Sequence, residues 1–264
     1  MDRHSNAPRE AQGLPGAGVW PPLAGIGQVA VVSEPDLSPK LVGFDSKDVR
    51  SRPFNLLRAQ LIKKLTETGA RLVGITSPAP NAGKSFVASN LAASLSQLSN
   101  KKVYLVDLDL RRASIGEIFG INDTAGVGSF LTESTEALVD LGRQIGETNL
   151  TVYPTRPVDV SSSELMVSSR MDSLLSRARA LEPEAIILFD LPPVFANDDA
   201  MLVAEKLDGV LVVVEQGVTN KKQLQGALQL LHPTPVLGTI LNRFDGGTTD
   251  IYGYGGKYDR YYSK

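Results

Sequence analysis

The chain of 264 residues contains no cysteine and only two histidines, His4 and His232. Without cysteine there is neither a disulfide framework nor a thiolate nucleophile, and two histidines argue against a histidine-built metal site or a histidine-based catalytic triad. The absence of cysteine cross-links also favours the cytosol. The candidate functional groups are therefore carboxylates, lysines and hydroxyls.

The sequence also lacks long apolar runs and an excess of charge of either sign. No apolar stretch approaches the ~20 residues that span a bilayer, and no apolar signal segment follows the first residues. Lysine and arginine number 27 against 29 aspartates and glutamates, a net charge of -2. This balance gives no reason to expect nucleic acid or an anionic membrane as a partner. We expect no nucleic-acid partner and no direct membrane insertion.

Composition divides the chain into three parts. Residues 1–47 are rich in proline, glycine and alanine and predict a flexible arm, in which Trp20 could anchor on a neighbour and Gln28–Val32 could add an edge strand. Residues 48–246 predict one folded domain, and residues 247–264 predict a flexible tail rich in tyrosine.

From residue 71 onward, short apolar runs alternate with stretches of helical periodicity. The runs lack polar alternation, which is typical of strands buried on both faces of a parallel sheet. They lie over Arg71–Thr76, Val103–Asp107, Leu150–Pro154, Ala185–Asp190, Val210–Glu215 and Val236–Asn242. Helices are predicted from Pro53 to a stop near Gly69 and over Phe86–Leu98, Met171–Leu181 and Lys221–Leu231. This order predicts an α/β fold with a doubly wound, mainly parallel sheet in three α/β/α layers.

A phosphate-binding loop follows the first predicted strand and leads into the helix that contains Phe86. Such a loop aims backbone N–H groups at phosphate oxygens, places a lysine on the β and γ phosphates, and places a hydroxyl on Mg²⁺. Gly83, Lys84 and Ser85 supply these roles. The usual G-x-x-x-x-G-K-[ST] pattern has glycine where Pro78 stands, so the prediction depends on the strand, loop and helix context.

Acidic residues follow two other predicted strands. Asp107 and Asp109, two apart on an extended segment, point the same way beside the basic pair Arg111–Arg112, and Asp190 ends a later apolar run. One of the first two could hold Mg²⁺ through water, while the other, or the same one, accepts a proton from an incoming hydroxyl. The alternative is a surface ion-pair cluster, with Asp190 marking only a strand end.

Five of the seven tyrosines lie in the last thirteen residues among glycines and charged residues. They are Tyr252, Tyr254, Tyr258, Tyr261 and Tyr262. The segment has too few aliphatic residues to form a core. Taken alone it is typical of a disordered tail, but beside a phosphate loop it also predicts a substrate for the chain's own nucleotide chemistry.

Together these motifs resemble the bacterial protein-tyrosine kinases of capsular and exopolysaccharide synthesis, a P-loop family of the deviant Walker type related to partitioning and division-site ATPases. The matching stretches are Pro80–Ala92, Val103–Arg112, Phe119–Gly120 with Gly126, Ser163–Leu165, Ile186–Val194, Val236–Arg243, which resembles the adenine-contacting segment, and the tyrosine cluster. The resemblance spans nearly all of residues 71–264.

The resemblance implies an ATP- and Mg²⁺-dependent tyrosine autokinase. The nucleotide-binding set it implies is Asn81, Ala82, Gly83, Lys84, Ser85, Phe86, Arg111, Asn242 and Arg243. The implied catalytic residues are Lys84, Asp107, Asp109 and Asp190, with Ser85, Asp107 and Asp190 organising the metal and Asp107 or Asp109 accepting the tyrosine proton. The five tail tyrosines would be the phosphate acceptors.

The resemblance also implies partners and a place in the cell. The chain would form a homo-oligomer in which the tail of one molecule enters the site of a neighbour. A membrane-anchored polysaccharide co-polymerase or chain-length activator would recruit this cytoplasmic protein to the inner face of the membrane. Phosphorylation of the tail would then regulate synthesis and export of the polysaccharide.

Several positions depart from the family pattern. Family members usually carry glycine at Asn81, proline at Ala113 and threonine or serine at Leu191, although none of these changes removes a ligand group. The E-x-x-R-x-x-R helix of family rings maps onto Arg52, Asn55 and Arg58 and keeps only the last position, which puts a ring of the family type in doubt.

Two other functions stay open. One is a nucleotide-switched positioning ATPase, but those relatives carry a second lysine near the positions of Ala79 and Pro80 and have no tyrosine tail. The other is an ATP-binding regulatory subunit without kinase activity, which the altered helix and Asn81 would permit.

Overall fold

A computed structural model describes residues 38–132, 138–158 and 161–244 of the protein. The predicted arm up to residue 37, including Trp20 and Gln28–Val32, lies outside the described residues, as does the tyrosine-rich tail. None of the described helices is both long and apolar enough to cross a membrane.

Seven strands form one sheet in the order β3-β4-β2-β5-β1-β6-β7. Their bounds are β1 Leu72–Thr76, β2 Val103–Asp107, β3 Arg143–Gln144, β4 Leu150–Tyr153, β5 Ile186–Asp190, β6 Gly209–Glu215 and β7 Val236–Asn242. All neighbouring pairs are parallel except β3 with β4. The predicted doubly wound, mainly parallel sheet is therefore confirmed, with β3 as an added antiparallel edge.

Helices connect the strands and cover both faces of the sheet. Within the described residues they are α1 Arg52–Thr68, α2 Lys84–Leu95, α3 Ile115–Ile118, α4 Val127–Leu131, α5 Leu138–Leu141, α6 Ser162–Met166, α7 Ser169–Arg179, α8 Asp199–Ala204 and α9 Lys221–Leu231. Helix α1 has Pro53 in its first turn and ends at Gly69, whose φ of 71° is a left-handed cap that glycine adopts without strain. Both ends match the sequence prediction.

The core is divided by the sheet into two apolar layers, one on each face. On one face, α1 and α2 pack on the sheet through side chains such as Leu61 and Leu91, and on the other, α7, α8 and α9 contribute side chains such as Leu174 and Val203. Every residue of β1, β2, β4 and β5 is buried, as their predominantly apolar sequences predicted.

Strand β7 is the exception to that prediction. Its residues are partly or largely exposed, and Leu241 keeps 52% of its surface accessible. The strand lies at the edge of the sheet and pairs only with β6, so helices do not cover it on both faces. An apolar run alone therefore predicted the strand but wrongly predicted its burial.

The register of the central strands gathers the acidic residues at one edge. Asp107 at the end of β2 is opposite Asp190 at the end of β5, and Ile75 of β1 is also opposite Asp190. Because the strands are parallel, their carboxyl ends meet where the chain then enters α2, and ligands of such sheets bind at this edge.

Candidate functional site

The loop between β1 and α2 is shaped for close approach to a ligand. Gly83 precedes the helix with φ of 86°, and a Cβ there would lie 2.2 Å from the Asn242 Nδ2. Asn81 also has a positive φ of 68°, which asparagine tolerates better than most residues. Pro78, in the position of the missing glycine, accepts a hydrogen bond from Phe195 N at 3.1 Å, which ties the loop to the segment after β5.

The lysine of the loop points into the carboxylate cluster at the strand ends. Its Nζ lies 2.7 Å from Asp109 Oδ2, 3.5 Å from Asp190 Oδ1 and 3.2 Å from Ser85 Oγ. Lys84 is 7% exposed, and both aspartates are fully or almost fully buried. Three of the predicted catalytic and metal-binding residues thus surround the ammonium group of a fourth, Lys84.

The charges of this cluster depend on one another. Burial alone disfavours the charge on Lys84, but the nearby Asp190 and Asp109 outweigh it and raise the pKa of the lysine. Burial also raises the pKa of Asp190, against the opposing effects of Lys84 and Ser85. Asp107 is fully buried and adjoins Asp190, so its pKa is raised well above the usual range. The cluster holds more negative charge than one lysine neutralises.

Asp107 also shapes the backbone that follows β2. Its Oδ1 accepts a hydrogen bond from Asp109 N at 3.1 Å, and its Oδ2 accepts one from Ile115 N at 3.2 Å. Each oxygen of Asp107 is therefore already bonded to a backbone donor, whereas Asp190 Oδ2 is buried and has no hydrogen-bond partner among the described residues. Asp109 Oδ2 also makes no hydrogen bond but lies 2.7 Å from the Lys84 ammonium, so Asp190 Oδ2 is the buried carboxylate oxygen of this cluster that has neither a hydrogen bond nor an ion pair among the described residues.

The donor set suits a magnesium ion that shares its ligands with a nucleotide. No cluster of three or more acidic, histidine or cysteine side chains with metal-binding geometry occurs in the part of the chain that the structure describes. Mg²⁺ does not need such a cage, because it commonly takes one or two protein ligands together with phosphates and water. Ser85 Oγ and the orphaned Asp190 Oδ2 fit that pattern.

Two predicted nucleotide-binding residues come from the end of β7. Asn242 Nδ2 donates a hydrogen bond to Ala82 O at 2.9 Å, so the end of the edge strand is joined to the phosphate loop. Arg243 Nη1 lies 2.6 Å from Glu215 Oε1 at the end of β6. The structure thus brings Asn242 to the loop and places the guanidinium of Arg243 on the neighbouring strand.

Phe86, Arg111 and Arg112 complete the surroundings of the loop. The ring of Phe86 packs edge-on against Phe54, with centroids 5.6 Å apart. Arg111 Nε donates to Ser162 Oγ at 3.3 Å, and Arg112 Nη1 donates to Asn81 Oδ1 at 2.7 Å. Arg112 was missing from the predicted set, although the basic pair after Asp109 was the signal that could have included it.

Helix α1, onto which the ring motif of the family maps, makes intramolecular contacts through two of the motif positions. Arg58 Nη1 donates to Ser94 O at 2.8 Å, and Ser94 Oγ donates to Asn55 Oδ1 at 3.1 Å. These contacts fasten α1 to α2. Ala113, where the family pattern has proline, has φ of 47°, a value that a proline ring forbids.

The chain is similar to known nucleotide-binding proteins and tyrosine-protein kinases. Residues 73–252 match the family model described as the CobQ/CobB/MinD/ParA nucleotide binding domain. Tyrosine-protein kinase YwqD of Bacillus subtilis is 30% identical over 222 residues, which cover 83% of this chain and 92% of that protein.

Two further likenesses concern one enterobacterial protein. Tyrosine-protein kinase etk of Escherichia coli is 31% identical over 200 residues, 75% of this chain but only 27% of that protein, so the chain corresponds to about a quarter of its length. The solved kinase domain of Escherichia coli ETK superposes with a TM-score of 0.72 at 28% identity, covering 83% of this chain and 85% of that domain.

Proposed function

Since the chain belongs to the CobQ/CobB/MinD/ParA nucleotide-binding family and, within it, to the bacterial tyrosine-protein kinases, we propose that it transfers the γ-phosphoryl group of ATP to tyrosines of its own C-terminal tail. The kinase domain would be residues 48–246, preceded by a flexible arm and followed by the acceptor tail.

The observation that carries this proposal is the set of contacts around Lys84. A lysine at the start of α2 adjoins two buried carboxylates and a hydroxyl at the carboxyl ends of parallel strands. Excess negative charge there suits a site that gains Mg²⁺ together with the nucleotide. When bound, the ion would neutralise phosphate charge and align the β and γ oxygens.

The protein's own groups would then act mainly by positioning. Lys84 would leave Asp109 for the β and γ phosphates, the N–H groups from Asn81 to Phe86 would bind the remaining oxygens, and Ser85 with Asp190 would hold the metal. Asp109, released by the lysine, or Asp107 would accept the proton of the tyrosine hydroxyl. Attack of that oxygen on the γ phosphorus, with ADP leaving, needs no nucleophile from the enzyme.

The tail is the best acceptor among the tyrosines of the chain. Tyr104 and Tyr153 are buried and at most 1% exposed, and burial raises the pKa of both. A glycine-rich tether would allow the tail to reach the site of a neighbouring molecule. Each phosphate adds a charge of about -2, and the accumulated charge would repel neighbours and loosen the assembly.

The biological setting is also part of the proposal. A polysaccharide co-polymerase in the membrane would recruit and activate the kinase, and the cycle of tail phosphorylation would regulate capsule or exopolysaccharide export. The altered helix residues Arg52 and Asn55 favour an assembly that differs from the family ring. The number of subunits would follow from the mass of the complex in solution.

The competing positioning-ATPase function is disfavoured because the loop has no lysine near Ala79 and Pro80, where that class carries its second lysine. A regulatory subunit without kinase activity stays the other candidate, on the departures from the family pattern at Arg52, Asn55 and Asn81.

Incubation with Mg²⁺ and γ-labelled ATP, with and without the candidate membrane activator, distinguishes these functions. We expect label in the tail tyrosines, its loss in Lys84→Met and Asp190→Asn, and retained ATP binding after replacement of all five tail tyrosines by phenylalanine. ATP hydrolysis without phosphotyrosine would favour the positioning ATPase, and binding without either reaction would favour the regulatory subunit. Mixing Lys84→Met as acceptor with a tail-less kinase tests transfer between molecules.

A further inference from the structure

Asn81 and Arg112 form a contact across the mouth of the phosphate loop. Arg112 Nη1 donates a hydrogen bond to Asn81 Oδ1 at 2.7 Å, and both residues are exposed. Asn81 belongs to the loop, whereas Arg112 belongs to the segment after β2, so the contact joins the two sides of the site. A glycine at position 81 would have no side chain to make it.

The backbone of Arg112 is fixed by the same aspartate that holds the loop lysine. Arg112 N lies 3.2 Å from both the main-chain oxygen and the Oδ1 of Asp109, and Asp109 Oδ2 lies 2.7 Å from Lys84 Nζ. Asp109 therefore holds the backbone of Arg112 through one carboxylate oxygen and the ammonium of Lys84 through the other. Lys84 is the residue that P-loops place on the β and γ phosphates.

Among the described residues, no acidic side chain pairs with Arg112. In the described ranges no carboxylate oxygen lies within 4.0 Å of its guanidinium, whereas Arg50, Arg143, Arg179 and Arg243 each pair with an acidic residue. A guanidinium has five N–H donors and binds phosphate oxygens in a planar, bidentate manner. Asn81 occupies one donor and leaves others for a ligand.

We propose that Arg112 is a second phosphate-binding cation of this site, directed at the terminal phosphate of ATP, and that Asn81 is the residue that positions it. The proposal deepens the proposed function and rests on nucleotide binding at this loop. Arg112 would bind the phosphate that Lys84 also reaches, from the side of the site opposite the loop. Asn81 would hold the guanidinium in place before the nucleotide arrives, which lowers the entropic cost of binding.

The test compares the Mg²⁺ complexes of ADP and of the non-hydrolysable ATP analogue AMPPNP by calorimetry. Arg112→Gln should bind AMPPNP about 10-fold more weakly, since one charge-assisted interaction is lost, and should bind ADP within about 2-fold of the wild type. Arg112→Lys should recover part of the loss. Lys63→Gln removes the same charge from an exposed position on α1 and should change neither affinity.

Asn81→Gly tests whether Asn81 positions the guanidinium of Arg112, because glycine adopts the positive φ of this position without strain and lacks only the side chain. As a single substitution it should weaken AMPPNP binding about 3-fold. Added to Arg112→Gln, it should cause no further loss of affinity. Equal additional loss in Arg112→Gln would overturn the positioning role of Asn81.

Unchanged AMPPNP affinity in Arg112→Gln, or an equal loss for ADP, would overturn the assignment to the terminal phosphate. Either result would leave the proposed function intact as long as the wild-type protein binds AMPPNP and phosphorylates its tail. Failure of the wild type to bind any nucleotide would instead refute the proposed function and this inference together. Thermal unfolding of each variant would show that the fold is retained.

Discussion

An aspartate lies at each end of the sheet, and the two differ in their hydrogen bonds and in the direction in which their pKa is shifted. At the amino ends of the strands, Asp208 Oδ2 accepts hydrogen bonds from Arg71 N and Leu72 N at 2.8 and 2.9 Å, and its Oδ1 pairs with Arg179 at 2.8 Å. Despite partial burial, the bond from Leu72 and the Arg179 pair lower its pKa. At the carboxyl ends, Asp190 is buried with a raised pKa and one unbonded oxygen.

This difference separates a carboxylate whose charge is satisfied by the fold from carboxylates whose charge is not. Asp208 has donors for both oxygens, so its ionised form stabilises the junction of β1 and β6. Asp190 lies opposite Asp107 and shares the Lys84 ammonium with Asp109, so one cation faces three buried carboxyl groups among the described residues. Unsatisfied buried charge costs free energy and marks a site completed by something that binds.

The largest effect is expected from removing the shared cation. In Lys84→Met the buried carboxylates lose their counter-ion, and the free energy of unfolding at pH 7.5 should fall by roughly 2–4 kcal/mol. The deficit should shrink towards pH 5, because the carboxyls can then take up protons. Urea unfolding at both pH values measures it. A deficit that does not depend on pH would mean that Lys84 contributes packing rather than charge.

A smaller loss of stability is expected at the other end of the sheet. Asp208→Ala leaves two strand N–H groups without an acceptor and should lower the free energy of unfolding by about 2 kcal/mol at pH 7. Because the folded-state pKa is depressed, this contribution is present above the unfolded pKa and is lost as the pH falls through the folded pKa. AMPPNP affinity, measured in parallel, should not change. A marked loss of affinity would contradict the separation of a fold-stabilising aspartate at the amino ends from the nucleotide site at the carboxyl ends.

The smallest change, with the opposite sign, is expected for Asp190→Asn. Its folded-state pKa is raised, so the favourable contribution of the carboxyl is present below the unfolded pKa and is lost as the pH rises through the folded pKa. The neutral variant avoids that loss and should exceed the wild type by about 1 kcal/mol at pH 8, with a smaller gain at pH 5. Unfolding curves across this range would show whether the gain grows with pH.

The sequence allowed most of the fold to be predicted because the central strands are buried on both faces. Val103–Asp107 and Lys221–Leu231 were predicted with the bounds that the structure has. Strand β3 has only two residues and is defined by its pairing with β4, so no local sequence pattern predicts it. The exposure of β7 likewise follows from its place at the edge, which depends on strand order.

The part of the site that lies at the strand ends could be predicted from the sequence, because a parallel sheet brings the carboxyl ends of its strands together. Lys84, Asp109 and Asp190 are brought into contact in this way, although their role in catalysis stays a prediction. The pairing of Asn81 with Arg112 was beyond the sequence, since it depends on a side-chain rotamer and on the turn that Asp109 fixes. The tail tyrosines lie outside the described residues, so their role as acceptors also stays a prediction.

The most direct test of the central claim is the stability of Asp190→Asn relative to the wild type with and without Mg²⁺ and AMPPNP. Without ligand the variant should be the more stable protein. At a nucleotide concentration about 100 times the wild-type Kd, the wild type should gain about 2.7 kcal/mol and become the more stable of the two. If the variant were more stable than the wild type in both conditions, or less stable in both, the claim that the charge of Asp190 serves to bind the nucleotide and its metal would be contradicted.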